Sequence, residues 1–156
     1  MRVLNVVSVL SAHEGGGNAE RTAQLSRALS GIGVDCTVLT LDIGDPEARR
    51  GQLGAARLVV LPCLNKRFQV PCPTLSSLST LSQLARSADV IHLMGYWNLL
   101  GVAVAHAAER AGVPYVLSPA GALPLFGRSR LLKRLFNQAV GQHLVARAAG
   151  WVAVTA

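Results

Sequence analysis

Apolar residues along this chain come in two spacings. Short runs of four to eight residues read as strands: Arg2 to Val9, Asp35 to Leu41, Leu58 to Leu61, Asp89 to Met94, Tyr115 to Ser118 and Trp151 to Thr155. The second is β-branched and apolar after Asp35, as in a strand covered on both faces. Pro62 stops the third. Between the strands the spacing becomes helical. Glu20 to Ser30 predicts a helix with Ala23, Leu25, Ala28, Leu29 and Ile32 inward, Arg21, Gln24 and Arg27 outward, and Gly31 and Gly33 at its end.

Three further helices follow. Thr74 to Arg86 repeats leucine at 75, 78, 81 and 84, but its serines make it a weak former that packing must stabilise. Leu99 to Ala111 is apolar nearly all round, which predicts burial, and Gly112-Val113-Pro114 stops it. Ser129 to Ala149 carries the clearest stripe, with Leu131, Leu132, Leu135, Phe136, Ala139, Val140 and Leu144 inward. Arg130, Lys133, Arg134, Asn137 and Gln138 face away. Asp42 to Arg57 predicts mostly loop with room for a short helix. Six strands alternating with helices imply an α/β fold, a doubly wound parallel sheet. A ligand crevice in such a sheet lies beyond the carboxyl ends of the strands. Those ends carry Ser11 to Asn18, Thr40 to Asp42, Pro62, Gly95 to Asn98, and Pro119 to Gly121.

The first of these ends is the most distinctive. Gly15, Gly16 and Gly17, followed by Asn18 and Glu20, lie between a strand pattern and a helix pattern. Glycines there allow a tight turn and close backbone approach, and the helix N-terminus favours an anion. A glycine-rich turn without ligand is the plainer alternative.

Composition narrows the function classes. A length of 156 residues suits one domain with a real core, and 51% hydrophobic against 15% charged residues excludes a disordered chain. No apolar run approaches the roughly 18 to 20 residues of a spanning helix. Met1-Arg2 before Val3 to Leu10 superficially resembles a short signal peptide. The run is brief and strand-like, so the expectation is a cytoplasmic protein. Cys36, Cys63 and Cys72 lack the close pairing of a zinc site and predict free thiols. No metal is expected. The net charge of +7 calls for an acidic partner, yet no basic tail or basic-aromatic interleaving suggests nucleic acid. The end of the chain directly after a strand suggests a piece of a longer protein.

Several segments together resemble the N-terminal half of a retaining GT-B glycosyltransferase of the family 4 type. They are Gly15-Gly-Gly-Asn-Ala-Glu-Arg21, Gly33-Val-Asp-Cys-Thr-Val-Leu-Thr40, Ala88-Asp-Val-Ile-His92, Gly95-Tyr-Trp-Asn98, and Ala111-Gly-Val-Pro-Tyr-Val-Leu-Ser-Pro-Ala-Gly121. The resemblance covers essentially the whole chain, in the family's order. It implies two Rossmann-like domains facing a cleft, the acceptor held mainly by the first. A nucleotide-sugar, the donor substrate rather than a cofactor, would sit mainly on the second, which is absent here. The chain alone would then not be expected to transfer sugar. No other cofactor is implied.

The same resemblance places Gly15, Gly16, Gly17, Asn18 and Glu20 near the donor's diphosphate and sugar, with Glu20 either bracing the helix start or touching ligand. It places His92, Tyr96, Trp97, Asn98, Pro119 and Gly121 on the acceptor side. His92 matches the first histidine of a frequent His-x-His-Gly pattern and has either a ligand contact or an internal hydrogen bond. The second histidine's position is Met94, and the common Ser-Pro-His-Gly reads Ser118-Pro119-Ala120-Gly121, so a usual imidazole is absent. The family's leaving phosphate is thought to take the acceptor's proton, so that loss need not abolish transfer. Trp97 stacks on a sugar or covers the core edge, and Asn98 suits an N-cap. Leu123 to Gly127, followed by Arg128, Arg130, Lys133 and Arg134, suits an anionic membrane surface, a lipid-linked pyrophosphate acceptor, or an ordinary solvated helix start.

Two other classes stay open on the residues. Gly15-x-Gly17 and Asp42 at the end of strand two suit a dinucleotide-binding oxidoreductase, although Glu20 at the third glycine position disfavours a pyrophosphate. A noncatalytic binding module of the same fold is the other. No lysine follows the glycines, which argues against a P-loop hydrolase.

Overall fold

The structure is a computed structural model that describes residues 1–66, 70–120 and 130–153. Gly121, the apolar loop at 123–127, Arg128 and the last residues of the expected sixth strand lie outside the described residues. Six strands, β1 (Arg2–Val7), β2 (Asp35–Leu41), β3 (Arg57–Leu61), β4 (Val90–Met94), β5 (Tyr115–Ser118) and β6 (Gly150–Trp151), form one sheet in the order β3-β2-β1-β4-β5-β6. Every pairing is parallel, with Val3 of β1 opposite both Cys36 and Val90. The order reverses between β1 and β4, which puts the topological switch point, and so the natural ligand crevice, between them. The expected doubly wound, Rossmann-like α/β sheet is therefore present.

Side chains alternate across each strand, so the two faces gather different cores. On one face Leu4, Val6, Leu39, Leu41, Ile91, Leu93 and Leu117 pack against α2 (Leu78–Ser87), α3 (Leu99–Ala111) and the C-terminal helical segments. On the other, Val7, Val38, Leu58 and Met94 pack with Ala19 and Ala23 of α1 (Gly16–Gly31).

The helix α1 departs from its expected face. It starts at Gly16, a turn before the predicted boundary, and buries Ala19, Thr22, Ala23 and Ser26, while Ala28 and Ile32 are exposed. Small residues let the helix sit close to the sheet, and polar ties hold it there. Buried Asn5 of β1 donates from Nδ2 to Ser26 Oγ at 2.9 Å and to Cys36 Sγ at 3.3 Å. Such contacts are invisible to a pattern that looks for leucine. Leu75 and Leu78 also depart from expectation, since both are exposed and only Leu81 and Leu84 of that leucine repeat are buried.

The expected long C-terminal helix is interrupted. It runs as α4 (Arg130–Phe136), a π-helical stretch Asn137–Gly141, and α5 (Gln142–Ala146). A π turn inserts a residue and shifts the phase of everything beyond it. Phe136, Gly141 and Leu144 are buried, while Leu131, Leu135 and Ala139 are exposed. Asn137, expected to face outward, accepts a hydrogen bond from the Tyr96 hydroxyl. A Cβ on Gly141 would collide with that same hydroxyl, so Tyr96 lies directly on the helix backbone. β3 begins one residue before its predicted start, β4 one residue after, and the 42–57 segment contains a 3-10 turn, Glu47–Gln52.

Candidate functional site

The loops after β1 and β4 meet at the switch point. Gly15 caps α1 and donates its N–H to the Ser11 carbonyl at 2.9 Å. A Cβ there would stand 2.6 Å from the Val9 carbonyl and 2.7 Å from that of Ser11, and would collide with Ala19, so only glycine fits. Gly16, at φ 54°, starts the helix in the left-handed region that glycine tolerates. Open space surrounds Gly16 and Gly17. The first N–H groups of a helix have no partner within it, so this turn offers donors and a positive dipole end to the crevice.

The opposite lip is Gly95, at φ 86°. Its missing side chain leaves room for Asn18, whose Nδ2 would lie 3.2 Å from a Cβ at that position, and for Asn98. Gly95 also donates its N–H to the Ser118 carbonyl at 2.8 Å, tying the ends of β4 and β5 together. Asn98 is the N-cap of α3, as expected: its backbone is extended and Oδ1 accepts from the Gly101 N–H at 2.6 Å. Thus Gly15, Gly16, Gly17, Asn18 and Asn98 do come together.

His92 lies inside β4, two residues short of its end, and is 8% exposed. Its Nε2 and Ser118 Oγ are 2.7 Å apart. Burial, reinforced by the positive charge of Arg21, lowers its pKa to about 4, so the ring is neutral at neutral pH. Arg21, on the outer side of α1, is near enough for its charge to be felt at His92, and its guanidinium reaches the Ala153 carbonyl at 3.5 Å. Nothing in helical periodicity marked Arg21 or Ser118. The one available signal was Arg21's place a turn after the glycines.

Glu20 is in the second turn of α1 and is engaged. It accepts from Arg49 at 2.8 Å and from Gln24 at 2.8 Å, and these bonds, Arg49's first, hold its carboxyl below the usual range. Arg49 is buried, and this pair braces α1 against the 3-10 turn. Asp42 is engaged as well. Burial pushes its pKa up, but Lys66, 2.9 Å away, and the Cys63 N–H, at 2.7 Å, outweigh that and leave it below its ordinary value. A ribose-binding carboxylate would have to give up those partners.

Tyr96 is buried and supports the loop from beneath. Trp97 is half-buried, its ring 4.7 Å from that of Tyr96 and 5.4 Å from that of Phe136, edge to face, with Lys133 Nζ 5.4 Å from its centroid. Both aromatic residues therefore anchor the β4 loop to α4. Pro119 is half-buried after β5, and Ala120 follows at φ 52°, the one non-glycine residue with positive φ among those described. That conformation costs on the order of 1–2 kcal/mol for an L-residue. Arg130 and Arg134 are exposed on α4.

Of the remaining histidines, His143 pairs with Glu109 at 3.0 Å, and His106 is exposed on α3. Met94, in the second-histidine position, is buried. The cysteines are free thiols. No group of histidines, cysteines and acids among the described residues could hold a metal ion, and no helix among them is long and apolar enough to cross a membrane.

Comparison with known proteins agrees with this fold. A solved structure of a Vibrio parahaemolyticus RIMD 2210633 protein of unknown function is similar at 15% identity. The match covers 99% of this chain and 93% of that one, with a TM-score of 0.51, a likeness of fold alone. No curated protein matches. The family model for a glycosyl transferase 4-like domain matches residues 16–156, beginning at the glycine that opens α1 and including both lips of the crevice. By that match the chain belongs to the glycosyl transferase 4-like domain family.

Proposed function

We propose that this chain is the acceptor-side domain of a retaining GT-B glycosyltransferase, serving transfer of a sugar from a nucleotide-sugar to a carbohydrate or lipid-linked acceptor in glycan biosynthesis. The observation that carries the proposal is the crevice between β1 and β4, where Gly16 and Gly17 expose the start of α1 beside Asn18 and Gly95. A diphosphate fits the uncovered N–H groups of Gly16 and Gly17 at the positive end of α1. Arg21 adds a full positive charge nearby, while Glu20 acts by keeping α1 tied to Arg49.

The domain then works by positioning. His92 is neutral and bonded to Ser118, and alanine stands at position 120, so neither of these two positions is poised to take the acceptor's proton. In this reading the departing phosphate takes it. Pro119, Trp97 and Asn98 border the space left for an acceptor, with His92 beneath it.

The test is transfer by the chain joined to its donor-binding half, supplied with a broad panel of sugar nucleotides and scored by nucleoside diphosphate release. Turnover with at least one donor is expected. Neither turnover nor binding across the panel would refute the proposal. The chain by itself is expected to bind nucleotides only weakly, and submicromolar affinity in calorimetry would show that the donor site does not need a second half. Saturable binding of NADH in a fluorescence titration would favour the dinucleotide reading instead.

A further inference from the structure

The sheet ends at β3, and that edge is open. In the parallel ladder Leu61 lies opposite Leu41, and its carbonyl accepts the Asp42 N–H at 2.9 Å. Backbone groups along a strand turn alternately to either side, so Arg57, Val59 and Leu61 bond toward β2 while Leu58 and Val60 face outward. Among the described residues, the N–H and C=O groups of Leu58 and Val60 have no partner on that side.

The neighbouring elements leave the edge clear. The turn entering β3 is drawn inward, since a Cβ on Gly54 would lie 2.8 Å from Ser30 Oγ and 3.3 Å from the Arg27 backbone, both on α1. On the opposite face α2 stands back from the strand, leaving a trough of about 280 Å³ lined by Arg57, Val59, Thr80, Gln83, Leu84 and Ser87. Beyond the strand's carboxyl end the edge is already taken. The Pro62 carbonyl accepts the Thr74 N–H at 3.1 Å and Leu64 donates to the Cys72 carbonyl at 2.9 Å, so residues 72–74 run antiparallel beside the continuation of β3. The open stretch therefore ends at Leu61.

Its side chains do nothing to protect it. Edge strands usually carry a charge, a proline or a bulge that discourages pairing. Between Arg57 and Pro62, β3 reads Leu-Val-Val-Leu.

We propose that β3 pairs antiparallel with β3 of a second copy, joining two six-stranded sheets into one. A twofold axis at Val59 sets Leu58 opposite Val60 of the second copy, and Val60 opposite its Leu58. The two resulting pairs make four hydrogen bonds that use every free backbone group on both edges. Val59 meets its own counterpart on the trough side, and the two Arg57 side chains stay apart at opposite ends, about four residues or roughly 13 Å along the strands. A register slipped by two residues either loses bonds or drives the second copy into residues 72–74. Complementarity selects a second copy, because it brings the same free groups, the same apolar run and the same stop at Leu61. An unrelated extended peptide would make the backbone bonds without that match. The axis reverses strand direction, so the two glycine crevices open at opposite ends and neither covers the other. This pairing does not depend on sugar transfer.

Sedimentation velocity of the 156-residue chain tests it. A five-residue strand pair is a small interface, so a Kd on the order of 10 μM is expected, with the dimer dominant by about 100 μM. Val59→Lys, which sets two ammonium groups face to face, should weaken the dimer about 30-fold or more. V60P removes an N–H that has no partner within the chain and so takes away two of the four bonds; about tenfold weakening is expected. R134Q, on α4, should stay within about twofold of the parent. Circular dichroism checks that each variant is folded. Hydrogen exchange of the parent needs no variant: the Leu58 and Val60 amides should slow as the chain is concentrated, while those of β5 should not change. A monomer at the higher concentration, a dimer that both V59K and V60P leave intact, or Leu58 and Val60 amides indifferent to concentration would overturn the proposal. So would a chain that stays monomeric and protects those amides only when an unrelated extended peptide is added.

Discussion

The two faces of the sheet hold their helices by different means. Beneath α3, large side chains fill the space: Leu93, Leu100, Leu117, Tyr115 and Phe136 pack as one cluster, with Tyr115 donating its hydroxyl to the Leu144 carbonyl at 2.7 Å. Beneath α1 the contact is made by Ala19, Thr22, Ala23 and Ser26, and Asn5 ties the helix to the sheet through a hydrogen bond. Burial of large apolar side chains supplies stability without demanding one precise arrangement. Small residues and directional bonds contribute less by area, but they set the position of a helix closely. The face that carries the glycine turn is the one built for position.

That contrast can be tested at four sites. Leu100→Ala, at a fully buried position on the inner face of α3, should cost about 2–5 kcal/mol in urea unfolding while leaving any ligand affinity of the crevice unchanged per folded molecule. A loss below 1 kcal/mol would mean that the large-residue face is not the main source of stability.

The second test is acid. Because the folded pKa of His92 is about 4 against an ordinary 6.5, the unfolded chain takes up this proton first as pH falls. The associated stability is present above pH 6.5 and is lost between 6.5 and about 4, amounting to up to about 3 kcal/mol. The carboxyls of Asp42 and Asp89, held low, lose their contributions only below the ordinary carboxylate range. A His92→Gln variant should therefore show a flatter stability profile between pH 6.5 and 4. An unchanged slope would remove His92 as the cause.

Gly15→Ala should destabilise by about 1–3 kcal/mol, since the new methyl meets two backbone carbonyls that cannot move aside as a side-chain tip would. It should also shift amide resonances of Gly16 and Gly17 more than those of α3. Shifts confined to residue 15 would show that the turn adapts without disturbing the donors. The smallest effect is expected for Asn98→Ala, about 1 kcal/mol from the lost cap, measured by thermal unfolding.

Much of the framework was legible in the residues. The bounds of β2, α3 and β5 agree with their patterns, because each is a local run ended by glycine, proline or a cap. Asn98 is recognisable as a cap for the same reason. The glycine turn was legible as a turn, but its partner was not. Asn18 meets Gly95 across 77 positions of sequence only because β1 and β4 are neighbours. Arg21 faces away from the sheet as expected, but its reach to the Ala153 carbonyl was not legible, because helical periodicity predicts which side chains face the sheet and says nothing of what lies beyond the sheet's end. Leu131 and Leu135 were misplaced because the period groups 131, 132, 135 and 136 into one stripe without saying which edge of it the core covers, and beyond them the π turn at Asn137–Gly141 shifts the phase.

From the sequence by itself came the alternation of strands and helices, hence a parallel α/β sheet, and the position of the glycine-rich turn at the end of its first strand. These follow from backbone preference and from the period of apolar residues, both of which act over a few positions. Only the tertiary structure decided that His92 is buried and neutral beside Ser118, that Tyr96 and Trp97 anchor a loop, and that Leu131 and Leu135 face solvent next to arginines. Each of those depends on segments far apart in the chain coming into contact, and the free energy of such contacts is not written in any one segment.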